Sequence, residues 1–132
     1  MSGETNLITL IKEMEPILNI GEYVFTTVSN VDTIPRSATI FEFKEEEGIT
    51  LVLEKTIADE LNVSYQYVAS WITLKIHSSL EAVGLTAAFS NELATYNISC
   101  NVVAGFYHDH IFVDKKDGEK TVKVLTDFAE NY

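Results

Sequence analysis

The chain has 132 residues, with 20 acidic and 9 basic side chains, and therefore a formal net charge of −11 at neutral pH. Hydrophobic residues make up 46% and charged residues 22%, a balance typical of a folded globule rather than of a disordered chain. The acidic balance argues against nucleic acids and anionic membrane surfaces as partners, because both attract clustered lysine and arginine. The length fits one compact domain or two small, closely packed subdomains.

The first periodic segment predicts a helix, because apolar residues recur at the spacing of one buried face: Leu7, Leu10, Ile11 and Met14. Thr5 is its predicted N-cap. Pro16 ends it near Glu15, since a residue before proline disfavours helical geometry. A strand is predicted next, from Glu22 to Val28, which is rich in β-branched and aromatic residues.

A hairpin is predicted after a loop at residues 29–35. Thr39 to Phe43 and Ile49 to Leu53 alternate apolar and polar residues, and the acidic, glycine-containing segment 44–48 joins them. Thr56 to Asp59 resembles a capping box, and it predicts the start of a short helix.

The second half begins with a strand from Trp71 to His77, which alternates strictly. A helix follows, with one apolar face formed by Leu85, Ala88, Phe89, Leu93 and Tyr96. Two strands are then predicted, Ile98 to Phe106 and His110 to Val113. Asp117 is the predicted cap of a last helix, whose inward residues are Val122, Leu125, Phe128 and Ala129.

The order of elements predicts an α+β fold of two ferredoxin-like βαββαβ repeats, at residues 1–66 and 67–132. The first repeat is expected to lack its opening strand and the second its closing strand. Helices are expected on one face of each antiparallel sheet. The other face would carry Trp71, Thr73 and Lys75, and a second subunit or subdomain is expected to pack there.

Several segments resemble the ACT domain family. Trp71 to Ser90 resembles the strand, loop and first helix of an ACT domain, and Ile98 to Val113 resembles its next two strands. Leu18 to Phe25 is similar to the companion segment of small bacterial tandem-ACT proteins. The resemblance implies a regulatory module that binds a small molecule, usually an amino acid, between paired units, and it implies a homodimer. Such a module would act in trans on an enzyme that the sequence does not identify.

Carried over by position, the resemblance implies a pocket between the loop at residues 78–85 and the strand turn at residues 103–111. The implied ligand-binding residues are Ser78, Ser79, Gly84, Leu85, Val103, Ala104, Gly105, His108, Asp109 and Ile111. A loop that enters a helix also offers unpaired N–H groups to a carboxylate, and Gly84 would allow close approach. Asp109 would pair with the ammonium group. Alternatively, Gly84 relieves crowding between helix and sheet.

A second interpretation is a small enzyme or metal-dependent protein that uses His77, His108, Asp109 and His110, because three imidazoles and a carboxylate could hold zinc. The same residues would otherwise form a polar turn. A third interpretation is an assembly module without a ligand. No phosphate-binding loop occurs among the six glycines, so we expect no cofactor.

The single cysteine, Cys100, excludes an internal disulfide and is expected to be a buried, inert thiol. Residues 1–5 lack the basic stretch of a signal peptide, and no apolar segment approaches the roughly 20 residues of a membrane span. We therefore expect a protein of the reducing cytoplasm.

Overall fold

The computed structural model describes residues 6–76, 79 and 82–132. Its helices and strands, in chain order, are α1 (Leu7–Glu13), β1 (Glu15–Leu18), β2 (Tyr23–Val28), β3 (Thr39–Lys44), β4 (Ile49–Glu54), α2 (Lys55–Glu60), β5 (Val68–Lys75), α3 (Leu85–Thr95), β6 (Asn101–Ala104), β7 (Asp109–Asp114) and α4 (Gly118–Glu130). Short 3-10 turns lie at Arg36–Ala38 and Lys115–Asp117. Among these described helices, none combines the length and the hydrophobicity that a membrane crossing requires.

The chain divides into two compact units. The split unit contains the described parts of Met1–Asn19 and Ser70–Tyr132, and the continuous unit contains Ile20–Ala69. The N-terminal helix and β1 therefore belong to the same unit as the C-terminal residues. The predicted boundary between residues 66 and 67 divides two sequence repeats, whereas the two units are defined by contacts in the structure. The boundary therefore stays a prediction.

The split unit has the strand order β1-β5-β7-β6. β1 pairs antiparallel with β5, from Glu15 opposite Lys75 to Leu18 opposite Ile72. This order is that of a ferredoxin-like sheet in which β1 is the closing strand. The sequence predicted only a helix end around Pro16, whereas the structure has a strand, β1, at this position. β1 has no second strand partner among the described residues, and a proline is tolerated in such an edge strand.

Three helices cover one face of the split unit's sheet, as predicted. The fully buried side chains of this core come from β5, β7 and the helices: Leu10, Ile11, Ile72, Leu74, Phe89, Leu93, Ile111, Val113 and Leu125. α4 packs against both α1 and α3. Each large side chain contributes about 1.5–3 kcal/mol by leaving water, so this layer dominates the stability of the unit.

The continuous unit has the order β3-β4-β2, followed by the first residues of β5. β2 therefore occupies the opening position of a second ferredoxin-like sheet, and the prediction that the first repeat lacks this strand is wrong. What this unit lacks is an α-helix between β2 and β3, where the described chain forms a loop and a 3-10 turn. Its buried core is small: Val24, Ile34, Leu51, Leu53 and Ala58.

The three predicted helix caps have different outcomes in the structure. Asn6 caps α1 through its Oδ1, which accepts from Thr9 N at 3.0 Å, whereas Thr5 lies outside the described residues. α2 begins at Lys55 without a side-chain cap, so the start predicted at Thr56 is wrong. Asp117 occupies the N-cap position of α4 but makes no capping hydrogen bond.

Strand β6 is shorter than predicted because both of its ends are used otherwise. Ile98 N donates to Leu93 O at the end of α3, and Gly105 N donates to His108 O in the turn that leads to β7. These bonds leave Asn101–Ala104 as the paired strand.

Candidate functional site

A cavity of about 180 Å³ lies in the split unit, where the N-terminus of α3 meets β6 and β7. It is lined by Ser79, Ala82, Gly84, Leu85, Thr86, Ala104 and Asp109. Five of these residues belong to the set implied by the resemblance, whereas Ala82 and Thr86 do not. The volume is below the roughly 300–1,000 Å³ that is usual for drug-sized ligands, so the cavity suits a smaller molecule.

The remaining predicted residues that the structure describes do not line the cavity, for reasons that differ from residue to residue. Ala104 pairs with Asp109 and Val103 pairs with His110, so the two pairs face opposite sides of the sheet. Ile111 shares the side of Asp109 but is fully buried in the core. Gly105 and His108 lie in the connecting turn, outside the cavity lining. Ser78 lies outside the described residues.

The first turn of α3 presents backbone donors to the cavity. Gly84 is the N-cap residue and has no side chain to cap the helix. The first intrahelical bond runs from Ala88 N to Gly84 O, at 2.9 Å. The N–H groups of residues 85–87 precede that bond and donate to no residue in the described part of the chain. Such a helix end attracts a carboxylate or another anion.

Backbone conformation explains why a glycine occupies position 84. Its φ of +97° is a conformation that side chains rarely adopt. A Cβ atom there would also lie 3.2 Å from Leu7 Cδ2 of α1. Gly84 therefore has a packing role against α1, whether or not it also admits a ligand.

Asp109 contributes a carboxylate to the cavity, and among the described lining residues it is the only one that does. The residue is 9% exposed, and its carboxylate accepts no hydrogen bond from any residue that the structure describes. Burial raises the pKa of Asp109, and the nearby charge of His108 partly opposes the shift. A largely buried carboxylate without a donor from the protein favours a cationic group beside it in the cavity.

His110 points to the opposite side of the sheet and belongs to a separate polar network. Trp71 Nε1 donates to His110 Nδ1 at 3.0 Å, and Thr73 Oγ1 lies 3.2 Å from the same nitrogen. Because an indole N–H only donates, Nδ1 must be unprotonated and His110 is neutral, with its proton on Nε2. Burial, followed by the charge of His108, lowers the pKa of His110.

The network argues against the predicted cluster around Asp109. His110 is held away from Asp109 by strand geometry, and His108 Nδ1 lies 3.4 Å from Ile76 O. Within residues 6–76, 79 and 82–132, no three His, Cys, Asp or Glu side chains are grouped to hold a metal. His77 lies outside this described part. The metal-dependent interpretation therefore gains no support from the described residues.

Cys100 is partly buried in the split unit. Burial raises the pKa of its thiol to about 11. The thiol is therefore protonated at neutral pH, as expected for an inert cysteine, since the thiolate is the reactive form.

Comparison with known families assigns the fold. The sequence matches the ACT domain over residues 2–70 and again over residues 66–127. The chain belongs to the ACT domain family. The predicted tandem of two ACT domains and the predicted α+β class are both confirmed.

Solved structures agree with this assignment. A protein of unknown function from Vibrio cholerae, described as a possible transport protein, is 46% identical, with a TM-score of 0.83 over 93% of this chain and 95% of its own. The ligand-free regulatory subunit of aspartate kinase from Thermus thermophilus is 7% identical, with a TM-score of 0.59 over 86% of this chain and 95% of its own. Escherichia coli aspartokinase III, in complex with aspartate and ADP, is 15% identical, with a TM-score of 0.60 over 85% of this chain and 32% of its own. The two kinase likenesses show a shared fold alone, and no curated protein matches the chain.

Proposed function

We propose that this tandem ACT protein is a non-catalytic regulatory module that binds a small amino acid in the α3 cavity and acts in trans on a separate enzyme. Membership of the ACT family and the likeness to a regulatory subunit support a regulatory role. The observation that carries the proposal is the presence of opposite electrostatic poles in one cavity. Asp109 lies at one wall and the uncapped N-terminus of α3 at another.

An α-amino acid fits these poles because it is a zwitterion. Its carboxylate would bind the backbone donors of α3, and its ammonium group would bind Asp109. Both charges need partners, since each unpaired buried charge costs several kcal/mol. The apolar lining of Ala82, Leu85 and Ala104 favours a short aliphatic side chain on the ligand.

Calorimetric titration of the full chain with each of the twenty common amino acids tests this function. We expect at least one small amino acid to bind the wild type, and Asp109→Asn to weaken that binding. Asp114→Asn is the matched control, because Asp114 lies at the other end of β7 and outside the cavity lining. If no amino acid binds the folded wild type, or if both variants bind equally well, the proposal is wrong.

We also propose that the active form is a homodimer in the cytoplasm. The half-buried Trp71 and Thr73 lie on the face of β5 opposite its buried Ile72 and Leu74, which leaves aromatic and polar surface for a second copy. The single cysteine is compatible with a reducing compartment. Sedimentation at micromolar concentration should give twice the monomer mass, and a stable monomer would contradict the dimer.

A further inference from the structure

We infer that the continuous unit carries a second binding site, a groove beside β2 that takes an uncharged ring compound bearing several hydroxyl groups. The groove has a volume of about 600 Å³, within the range of small-molecule sites. It shares no lining residue with the α3 cavity, so this inference does not depend on the amino-acid site.

The groove lies where β2 and the chain before β5 no longer pair with each other. β2 pairs with β5 only at Tyr23 and Val24. Beyond Val24, β2 continues through residues 25–27, while the chain on the other side, residues 64–67, is not a strand. Thr26 Oγ1 donates to Ser64 O at 2.6 Å and ties the two sides together. The result is an open groove whose two sides are joined by this bond.

Aromatic rings form the apolar part of the groove. Phe25, Tyr65 and Tyr67 all contribute to its lining. The rings of Phe25 and Tyr67 contact each other edge to face, with centroids 6.1 Å apart. Tyr65 is fixed by the hydrogen bond from its hydroxyl to Asp59 Oδ1 at 2.7 Å. Positioned rings of this kind favour a ligand that presents a flat apolar face.

Neutral polar groups complete the lining. The side chains of Thr27, Ser64 and Gln66 make no hydrogen bond with any described residue, so their donors and acceptors are available to a ligand. Among the residues that the structure describes, no Asp, Glu, Lys, Arg or His lines the groove. A phosphate or carboxylate would find no countercharge there and would be repelled by a chain of net charge −11. Uncharged hydroxyl and amide groups are the chemistry that remains.

Sugars and nucleosides both combine a ring face with hydroxyl groups, so the test uses both as probes. The isotope-labelled full chain is titrated with glucose, with adenosine and with adenosine monophosphate, and amide chemical shifts are followed by NMR. We expect glucose or adenosine to shift the amides of residues 25–27 and 64–67, and the monophosphate to bind more weakly than adenosine. Binding of only one neutral probe identifies the source of the ligand.

Two isosteric variants test the contacts. Thr27→Val and Gln66→Met each remove polar groups while keeping the approximate size and length of the side chain, and each should weaken binding about three- to tenfold, as expected for one neutral hydrogen bond. Thr56→Val, in the same unit but outside the groove, should bind as the wild type does. The inference is overturned if neither neutral probe shifts these amides at millimolar concentration, or if both groove variants bind with unchanged affinity.

Discussion

The two units share a strand order but differ in the helices that pack on their sheets. Each arranges four strand segments in ferredoxin-like order, but α3 and α4 of the split unit have 11 and 13 residues, whereas α2 of the continuous unit has six. After β2, where the split unit's counterpart strand leads to α3, the continuous unit has a loop and a 3-10 turn. Among the described residues, an α-helix N-terminus therefore follows the opening strand in only one of the two repeats. The chain is therefore a tandem of two ACT domains whose helical coverings are not equivalent.

The largest expected effect tests whether the thicker helical layer carries the stability. Phe89 of α3 is fully buried in the split unit, and Phe89→Ala should lower the free energy of unfolding by about 3–5 kcal/mol. Phe106→Ala is the control, since Phe106 is 66% exposed. Denaturant unfolding followed by Trp71 fluorescence measures both variants. Equal effects of the two variants would show that the layer contributes less than its burial implies.

Ligand affinity is the next largest expected effect. Asp109→Asn keeps the shape of the side chain and removes the charge that would meet an ammonium group. Affinity for the bound amino acid should fall by about 1.5–3 kcal/mol, the range for a hydrogen bond to a charged group. Calorimetry with the ligand found by titration measures the change. Unchanged affinity would remove Asp109 from the binding site and make the two units more alike than we propose.

The same substitution should have the opposite effect on the free protein. Because the pKa of Asp109 is raised in the folded state, the unfolded chain releases this proton more readily. The stability that protonated Asp109 contributes is fully present below the pKa that Asp109 has in the unfolded chain. It is lost as pH rises through the higher pKa of Asp109 in the folded protein. At neutral pH, Asp109→Asn should therefore unfold at higher denaturant concentration than the wild type. A variant that is weaker in binding but more stable is typical of a residue kept for function.

Two glycines allow a matched comparison of the units. Gly84 and Gly21 have φ values of +97° and +107°, so alanine is strained at both. Each substitution should cost about 1–3 kcal/mol for the backbone alone. Gly84→Ala should cost more, because its Cβ would meet Leu7 at 3.2 Å, whereas the nearest atom to a Cβ at Gly21 is 3.7 Å away. In a Leu7→Ala background the difference should disappear, and its persistence would exclude packing against α1 as the cause.

Much of the split unit could be predicted from the sequence because its signals are long. The alternation around Ile72 and Leu74, together with the apolar face of α3, identified the buried layer correctly. β1 was missed because four residues are too few to show alternation and Pro16 indicates a helix end. The helix at α1 was predicted correctly, but its periodicity does not tell which strands it packs against, and in the structure it belongs to the split unit.

The candidate cavity shows a similar limit. Ser79, Gly84 and Asp109 were identified from their position in the ACT pattern, and Asp109 lines the cavity together with its strand partner Ala104. Asp109 and His110 are consecutive residues of one strand, so their side chains point to opposite faces of the sheet. This difference could have been predicted from the sequence. The groove of the continuous unit had no sequence signal, because it arises where β2 and residues 64–67 stop pairing.

The smallest expected effect concerns the pH response of His110 and Trp71, which lie on the side of the split unit's sheet opposite its helices. His110 is held neutral by the N–H of Trp71, and its pKa is lowered in the folded state. The stability that neutral His110 contributes is therefore fully present above the pKa that histidine has in the unfolded chain. It is lost as pH falls through the lower pKa of His110 in the folded protein. His108 is the charged neighbour that adds to the shift, and no charged side chain contacts His110 within hydrogen-bond distance in the described part of the chain. Protonation of Nδ1 would break the bond from Trp71, so Trp71 fluorescence should change below the ordinary histidine range. His110→Gln keeps an acceptor for Trp71 and should give a flat profile, and a wild-type pH response that survives in this variant would contradict the assignment to His110.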